Sequence, residues 1–188
     1  DLLKKEYPQG TTERKLSDFY KLAMDSVRRN KEGVKPVMPL INEIEKAKTV
    51  ADLRKVQLKY ATFGYGVPMG IGFGADEKNA TMNILNIYQG GICLGQKEYY
   101  LDTDPATTAI REAYKKHIER MFKLFGFSDA AAKKKMESIM KVETALAKVS
   151  KSSTELRDVA ANYNKMTIQN FESNYPHVGL TQLLNAEG

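Results

Sequence analysis

The sequence predicts a mainly α-helical fold with one small β-hairpin. Apolar residues recur at intervals of three and four along most of the chain, which is the period of one face of an α-helix. A glycine-rich stretch between Phe63 and Gly95 loses that period, and parts of it alternate in steps of two, as strands do. The order of elements contains no strand–helix–strand unit, which excludes a doubly wound sheet. We therefore expect a bundle of six or seven helices with a hairpin of about 69–75 and 81–88.

Three helices are predicted before the hairpin. The first covers about 13–30, and the second begins at Pro36, since proline suits the first position of a helix. The third follows Thr49, a residue type typical of N-caps. Asp52 lies in its first turn, where the helix dipole favours an acid. The apolar pattern of this helix ends at Gly64.

Four helices are predicted after the hairpin. Each begins at a residue typical of a helix start, and the third has the capping box Ser152-x-x-Glu155, in which hydroxyl and carboxylate satisfy two free backbone N–H groups. The predicted ranges are Pro105–Gly126, 128–150, 153–164 and Thr167 to just before Pro176.

The hairpin is expected to turn through the polar residues 76–79. Glycine-rich strands are weak alone, so the hairpin should lie on the helices or against a missing partner. The repeated glycines Gly70, Gly72 and Gly74 do not predict a dinucleotide site, because a polar turn and a strand follow them instead of a helix.

Charge and hydropathy argue against two classes of protein. The net charge of +6 arises from 29 Lys+Arg and 23 Asp+Glu. A nucleic-acid surface would gather its basic residues on one face, whereas these runs fall on three predicted helices. They are Arg28-Arg29, Lys115-Lys116 and Lys133-Lys134-Lys135. Nucleic-acid binding is therefore not expected, and no stretch approaches the ~18 apolar residues of a membrane span.

The residues alone supply no complete active site. His117 and His177 are the only histidines, and neither belongs to the paired-histidine motif of a zinc hydrolase. We therefore predict no catalytic or metal-binding residue in this chain. Cys93, between two apolar residues, is predicted to be a buried and unreactive thiol. Glu143 lies on the apolar side of its helix, and we expect a neighbouring backbone group or an arginine to bind it.

Several ordered motifs resemble those of one protein family. A D-x-K-N turn is followed by a strand, a Q-G-G stretch and a Y-Y-L, and two further segments match downstream. The positions that carry this resemblance are Asp76, Lys78, Asn79, Gln89, Gly90, Gly91, Tyr99, Tyr100, Glu143, Arg157, Tyr163 and Asn164. Over about 12–185 the chain resembles the neprilysin and endothelin-converting-enzyme family of zinc metalloendopeptidases, and most of all bacterial endopeptidase O. Gly95 is a departure, because the family often has proline there.

The resemblance implies that residues 1–188 form a single α-helical, non-catalytic lobe of a larger two-lobe peptidase. In the family this lobe closes over a zinc-bearing C-terminal lobe and admits only oligopeptides. It implies that the chain alone lacks a zinc site and activity, whereas the full-length protein holds zinc and hydrolyses peptide bonds. The C-terminal catalytic lobe and an oligopeptide are thus the implied partners, and the location would be periplasmic or extracellular, with a membrane anchor as one option for the parent protein.

A second reading stays open at this point. A stand-alone helical module could bind a peptide or protein through the edge of the glycine-rich hairpin and Tyr99-Tyr100. A parent reading frame that stops soon after Gly188 would favour that alternative.

Overall fold

The computed structural model describes residues 5–61 and 69–187, and their fold is mainly α with one antiparallel hairpin, which confirms the predicted fold class. The elements are α1 Thr12–Met24, α2 Ser26–Glu32, a 3-10 turn Lys35–Val37, α3 Met38–Lys46, α4 Val50–Tyr60, β1 Met69–Asp76, β2 Asn79–Gln89, α5 Glu98–Leu101, α6 Pro105–Leu124, α7 Asp129–Val149, α8 Ser153–Leu156, α9 Val159–Asn162, α10 Ile168–Asn174 and α11 Leu180–Glu187. The chain divides into two compact units, residues 1–46 and 47–188. None of the helices in the described ranges is long and apolar enough to cross a membrane.

The first unit breaks its long predicted helix in two. The prediction of one helix over about 13–30 is wrong, because Asp25 ends α1 and caps α2 by accepting a 2.8 Å hydrogen bond from the Arg28 N–H. Gly33 ends α2 with a φ of 55°, a backbone conformation that favours glycine. Phe19, one of the apolar residues of α1, is 74% exposed.

The second unit begins with α4. Its start is confirmed, since Thr49 and Asp52 form a capping box in which each side chain binds the other's backbone N–H. The predicted end of this helix at Gly64 lies outside the described residues.

The hairpin has the predicted antiparallel pairing, with strands slightly longer than expected. Ile71 pairs with Ile87, and a bulge at Asp76 precedes the turn. A side chain at Gly70 would crowd the ring of Tyr88, since a Cβ added there would lie 3.3 Å from the Cβ of Tyr88. Glycine at this position therefore lets an aromatic side chain cover the strand.

The core of the second unit lies between α5, α6 and α7. Gly126 ends α6 with a φ of 89°, and Ser128 caps α7, so both predicted boundaries are confirmed. The buried residues that form this cluster are Tyr100, Ile118, Met136, Met140 and Ala147.

The C-terminal helices are more fragmented than the pattern predicted. The capping box of Ser152 and Glu155 is present. The single helix predicted over 153–164 is wrong, because Asp158 starts a new helix by accepting a 3.0 Å bond from the Ala161 N–H. Helices α5 and α11 were not predicted, and two predicted helices are each divided in two. The described residues therefore hold eleven α-helices where six or seven were expected.

Candidate functional site

Asp76 anchors the base of the hairpin turn. Asp76 is only 2% exposed. Its Oδ1 accepts hydrogen bonds from the Lys78 N–H at 2.9 Å and from the Tyr163 hydroxyl at 2.8 Å. The ammonium group of Lys165 donates to Oδ2 at 2.5 Å. These groups, Lys165 above all, lower the pKa of Asp76 to about 2. The carboxylate therefore stays ionised and ties the turn to residues 163–165.

Tyr163 joins this anchor through its ring as well as its hydroxyl. The Lys78 ammonium lies 4.3 Å from the centre of the Tyr163 ring, a cation–π contact. The hydrogen bond to Asp76 raises the pKa of the Tyr163 hydroxyl, because it stabilises the protonated phenol. Two motif positions of the turn, Asp76 and Lys78, thus meet a third that lies far along the chain.

Gln89 anchors the other end of the hairpin. Its Nε2 donates to the Lys151 carbonyl at 2.9 Å, and its Oε1 accepts from the Lys151 N–H at 2.8 Å. Lys151 in turn donates from Nζ to Asn162 Oδ1 at 2.5 Å. The side-chain amide of Gln89 thus binds both the backbone N–H and the backbone carbonyl of Lys151, as the backbone of a paired β-strand would.

The residues that Asp76 and Gln89 bind flank α8 and α9 along the chain. Asp76 binds residues just after these helices, and Gln89 binds a residue just before them. The hairpin is therefore fastened at both ends to one segment, residues 151–165. This pair of contacts is called the hairpin clamp below.

Other motif positions lie close to the clamp but outside its hydrogen bonds. Asn79, Arg157 and Asn164 are exposed. Gly91 has a φ of 82° and Gly95 a φ of 80°. Proline is held near −65°, so the proline expected from the family at Gly95 could not adopt this conformation. The backbone at Gly95 therefore has a conformation that glycine allows and proline does not.

Glu143 is the buried centre of a second cluster. It is 7% exposed and accepts hydrogen bonds from Tyr100 at 2.8 Å and from Tyr114 at 3.0 Å. The Tyr100 oxygen also accepts from the Leu94 N–H at 3.0 Å. The expectation of a backbone or arginine partner is wrong, because two tyrosine hydroxyls bind this carboxylate. Tyr99, beside Tyr100, is half-buried against the same core.

Burial, with the nearby Glu143 carboxylate, raises the pKa of both Tyr100 and Tyr114 well above the ordinary 10.0. Both phenols therefore remain protonated and act as hydrogen-bond donors. The cluster links α5, α6 and α7 and contains two further motif positions, Tyr100 and Glu143.

Cys93 is exposed, so the prediction of a buried thiol is wrong. The alternating apolar neighbours that suggested burial face the core, while Cys93 lies at the surface of the loop before α5. The nearby Tyr114 hydroxyl lowers the pKa of the Cys93 thiol, but partial desolvation and the Glu143 carboxylate outweigh this effect, so the pKa is raised.

The described side chains include no cluster of possible metal ligands. Within residues 5–61 and 69–187, no group of three His, Cys, Asp or Glu residues could hold a metal ion. His117 and His177 are both exposed. The hairpin clamp and the hydrogen bonds to Glu143 hold strands and helices in place.

The whole sequence, residues 1–188, matches the N-terminal model of peptidase family M13. The chain belongs to peptidase family M13. Its curated M13 relatives include human endothelin-converting enzyme-like 1, 26% identical over 192 residues, and guinea-pig endothelin-converting enzyme 1, 26% identical over 183 residues. These alignments cover 95% and 92% of this chain but 24% of each relative, so the chain spans about a quarter of their length.

M13 structures from two bacteria have the same fold. The zinc metalloprotease ZMP1 of Mycobacterium tuberculosis, in complex with an inhibitor, superposes with a TM-score of 0.88 and 25% identity, over 100% of this chain and 28% of that one. PepO of Lactobacillus rhamnosis superposes with a TM-score of 0.78 and 22% identity, over 94% of this chain and 28% of that one. The family predicted from the motifs is thus confirmed, and the chain corresponds to its N-terminal lobe.

Proposed function

We propose that this chain is the α-helical lobe that caps the active-site cavity of a zinc metalloendopeptidase and limits its substrates to oligopeptides. The observation that carries the proposal is the superposition of the chain on a zinc metalloprotease, with a TM-score of 0.88 over 100% of its residues but only 28% of the metalloprotease. A complete structural match to one part of an enzyme supports a role as one component of it. We propose further that residues 1–188 act together as that one lobe.

The contacts described above suit a lid more than a reacting group. The hairpin clamp and the Glu143 cluster hold strands and helices in place by hydrogen bonds between side chains and backbone. A rigid lid admits flexible chains, excludes folded proteins and displaces water from the reaction site. In this proposal the motif residues determine the shape of the lid and take no part in peptide-bond cleavage.

The chemistry would belong to the C-terminal catalytic lobe of the same protein. Zinc bound there would polarise the peptide carbonyl and supply the hydrolytic water. The chain described here would hold no cofactor and would be inactive alone. An oligopeptide would be the substrate. By analogy with the family, the protein would work in the periplasm or outside the cell, with a membrane anchor as one option.

Size selection by the whole protein tests the proposal. One cleavable sequence is presented to the purified full-length enzyme twice, as a short fluorogenic peptide and within a loop of a folded carrier protein. We expect a chelator-sensitive cleavage of the peptide and none of the folded carrier, since the enclosed cavity would admit only flexible chains of limited length. Unfolding the carrier with a destabilising mutation should leave its long chain still uncut.

A matched pair of variants connects size selection to this lobe. Glu143→Ala removes the buried acceptor of two tyrosines, whereas Glu137→Ala removes an exposed carboxylate from the same helix. We expect Glu143→Ala to relax the discrimination against the unfolded carrier and Glu137→Ala to leave it unchanged. Wild-type enzyme that cuts the folded carrier as fast as the peptide would overturn the capping role, whereas hydrolysis insensitive to chelators would overturn only the metal.

A further inference from the structure

The tip of the hairpin carries a glycosylation sequence that the clamp does not use. Asn79-Ala80-Thr81 is the only Asn-x-Ser/Thr sequence in the 188 residues, and its middle residue is not proline. All three residues are exposed. The sequence is therefore accessible at the surface of the folded chain.

The side chain of Asn79 is held in one orientation by Thr81. Asn79 Oδ1 accepts hydrogen bonds from the Thr81 hydroxyl at 2.7 Å and from the Thr81 N–H at 3.3 Å. Within the described residues, no hydrogen bond from Asn79 Nδ2 is present. The nitrogen that would receive a sugar is thus the part of the side chain that remains open to solvent.

The fold keeps the Asn79 side chain separate from the hydrogen bonds of Asp76. Asp76 pairs with Asn79 across the turn, and its carboxylate points to Tyr163 and Lys165. Asn79 makes none of those bonds. A bulky group on Asn79 would extend from the tip without breaking the hairpin clamp.

We propose that Asn79 is an acceptor site for N-linked glycosylation of the folded protein. The donor is an oligosaccharide carried on a polyprenyl pyrophosphate. Asn79 Nδ2 forms a bond to the anomeric carbon of the first sugar, and the bond from that carbon to the pyrophosphate oxygen breaks. The amide nitrogen loses one proton to a base of the transferase, and the polyprenyl pyrophosphate leaves; nothing is oxidised or reduced. The site is independent of peptide hydrolysis.

Transfer to the folded protein tests this site. The whole natural protein is folded, purified and incubated with an oligosaccharyltransferase and an oligosaccharide on polyprenyl pyrophosphate, in a preparation shown to modify an unrelated acceptor peptide. Mass spectrometry then measures the fraction of the proteolytic peptide containing position 79 that carries a glycan. We expect glycan on the wild type and on Thr81→Ser, which keeps the hydroxyl, and its loss in Asn79→Gln and Thr81→Ala.

A second sequence within the same protein serves as the matched control. In an Asn79→Gln background, Asn164→Thr creates the sequence Asn162-Tyr163-Thr, but the Asn162 amide already donates to the carbonyls of Glu155 and Asp158. We expect Asn162 to remain unmodified while the protein stays folded, as circular dichroism would verify. An unmodified wild type would overturn the proposal, and so would glycosylation of Asn162 as complete as that of Asn79.

Discussion

The hydroxyl of Tyr114 donates a 3.0 Å hydrogen bond to Glu143, 29 positions further along the chain, and thereby joins α6 to α7 inside the core. Tyr100 donates to the other oxygen of the same carboxylate from α5. A single side chain thus holds three helices, and its two donors are as important as the acceptor, because a buried polar group without a partner is costly.

Removing the Glu143 carboxylate should destabilise the protein strongly. Glu143→Ala leaves two phenol hydroxyls without an acceptor and opens a cavity, for an expected loss of about 3 kcal/mol in the free energy of unfolding. Urea unfolding measures this difference. The exposed Glu137→Ala on the same helix should change it by less than about 0.5 kcal/mol, and equal effects from the two variants would contradict the role of the cluster.

The same cluster should make the protein sensitive to alkali. Burial raises the pKa values of Tyr100 and Tyr114 in the folded protein above the ordinary value of 10.0. As the pH rises above 10.0, the unfolded chain therefore loses these protons before the folded protein does. The stabilisation is complete below that pH and is lost as the pH rises further. Unfolding free energy should therefore fall from about pH 10 upward, and the double variant Tyr100→Phe, Tyr114→Phe should show a shallower fall. A stability independent of pH there would refute the assignment.

The Asp76 anchor should have the opposite dependence, at acidic pH. Its pKa is lowered from 3.8 to about 2, chiefly by Lys165, so the unfolded chain takes up the proton first as the pH falls. The contribution of Asp76 is present above pH 3.8 and is lost as the pH falls towards about 2. Asp76→Asn, which has the same shape and cannot titrate, should remove this part of the acid dependence measured by urea unfolding. An unchanged acid dependence would show that the carboxylate is not anchored.

The Gln89 anchor should protect one amide proton. The Lys151 N–H donates to Gln89 Oε1, so Gln89→Leu should speed its hydrogen exchange by about fivefold, the equivalent of a hydrogen bond worth about 1 kcal/mol. Exchange measured by NMR tests this expectation. Gln96→Leu, at an exposed position in the following loop, should leave that amide unaffected; equal acceleration in both variants would argue against the bond.

Local signals in the sequence predicted the fold class and many boundaries. Caps act within three residues, so Thr49, Ser128 and Ser152 could be recognised from their neighbours, and each begins a helix as expected. The same signal was available at Asp25 and Asp158, where an aspartate interrupts a continuous apolar pattern and starts a new helix. Periodicity alone favoured one long helix at both places and gave the wrong answer.

The contacts of the candidate site could not be read from the sequence in the same way. The motifs identified Asp76 and Tyr163 as positions of interest, but only folding brings together residues 87 positions apart. Glu143 was placed correctly on an apolar face, whereas its tyrosine partners depend on how three helices pack. Cys93 shows the limit of neighbour-based burial, because a loop can turn one residue outward between two that point inward.

Because the hairpin is bonded at both ends to residues 151–165, the stability of each segment depends on the other. Neither segment can unfold locally without breaking the hydrogen bonds of Asp76 or Gln89. We therefore expect the hairpin and residues 151–165 to unfold as one cooperative unit. A protease that needs an extended stretch of chain would find both segments resistant, or, once the pair has opened, both cleavable.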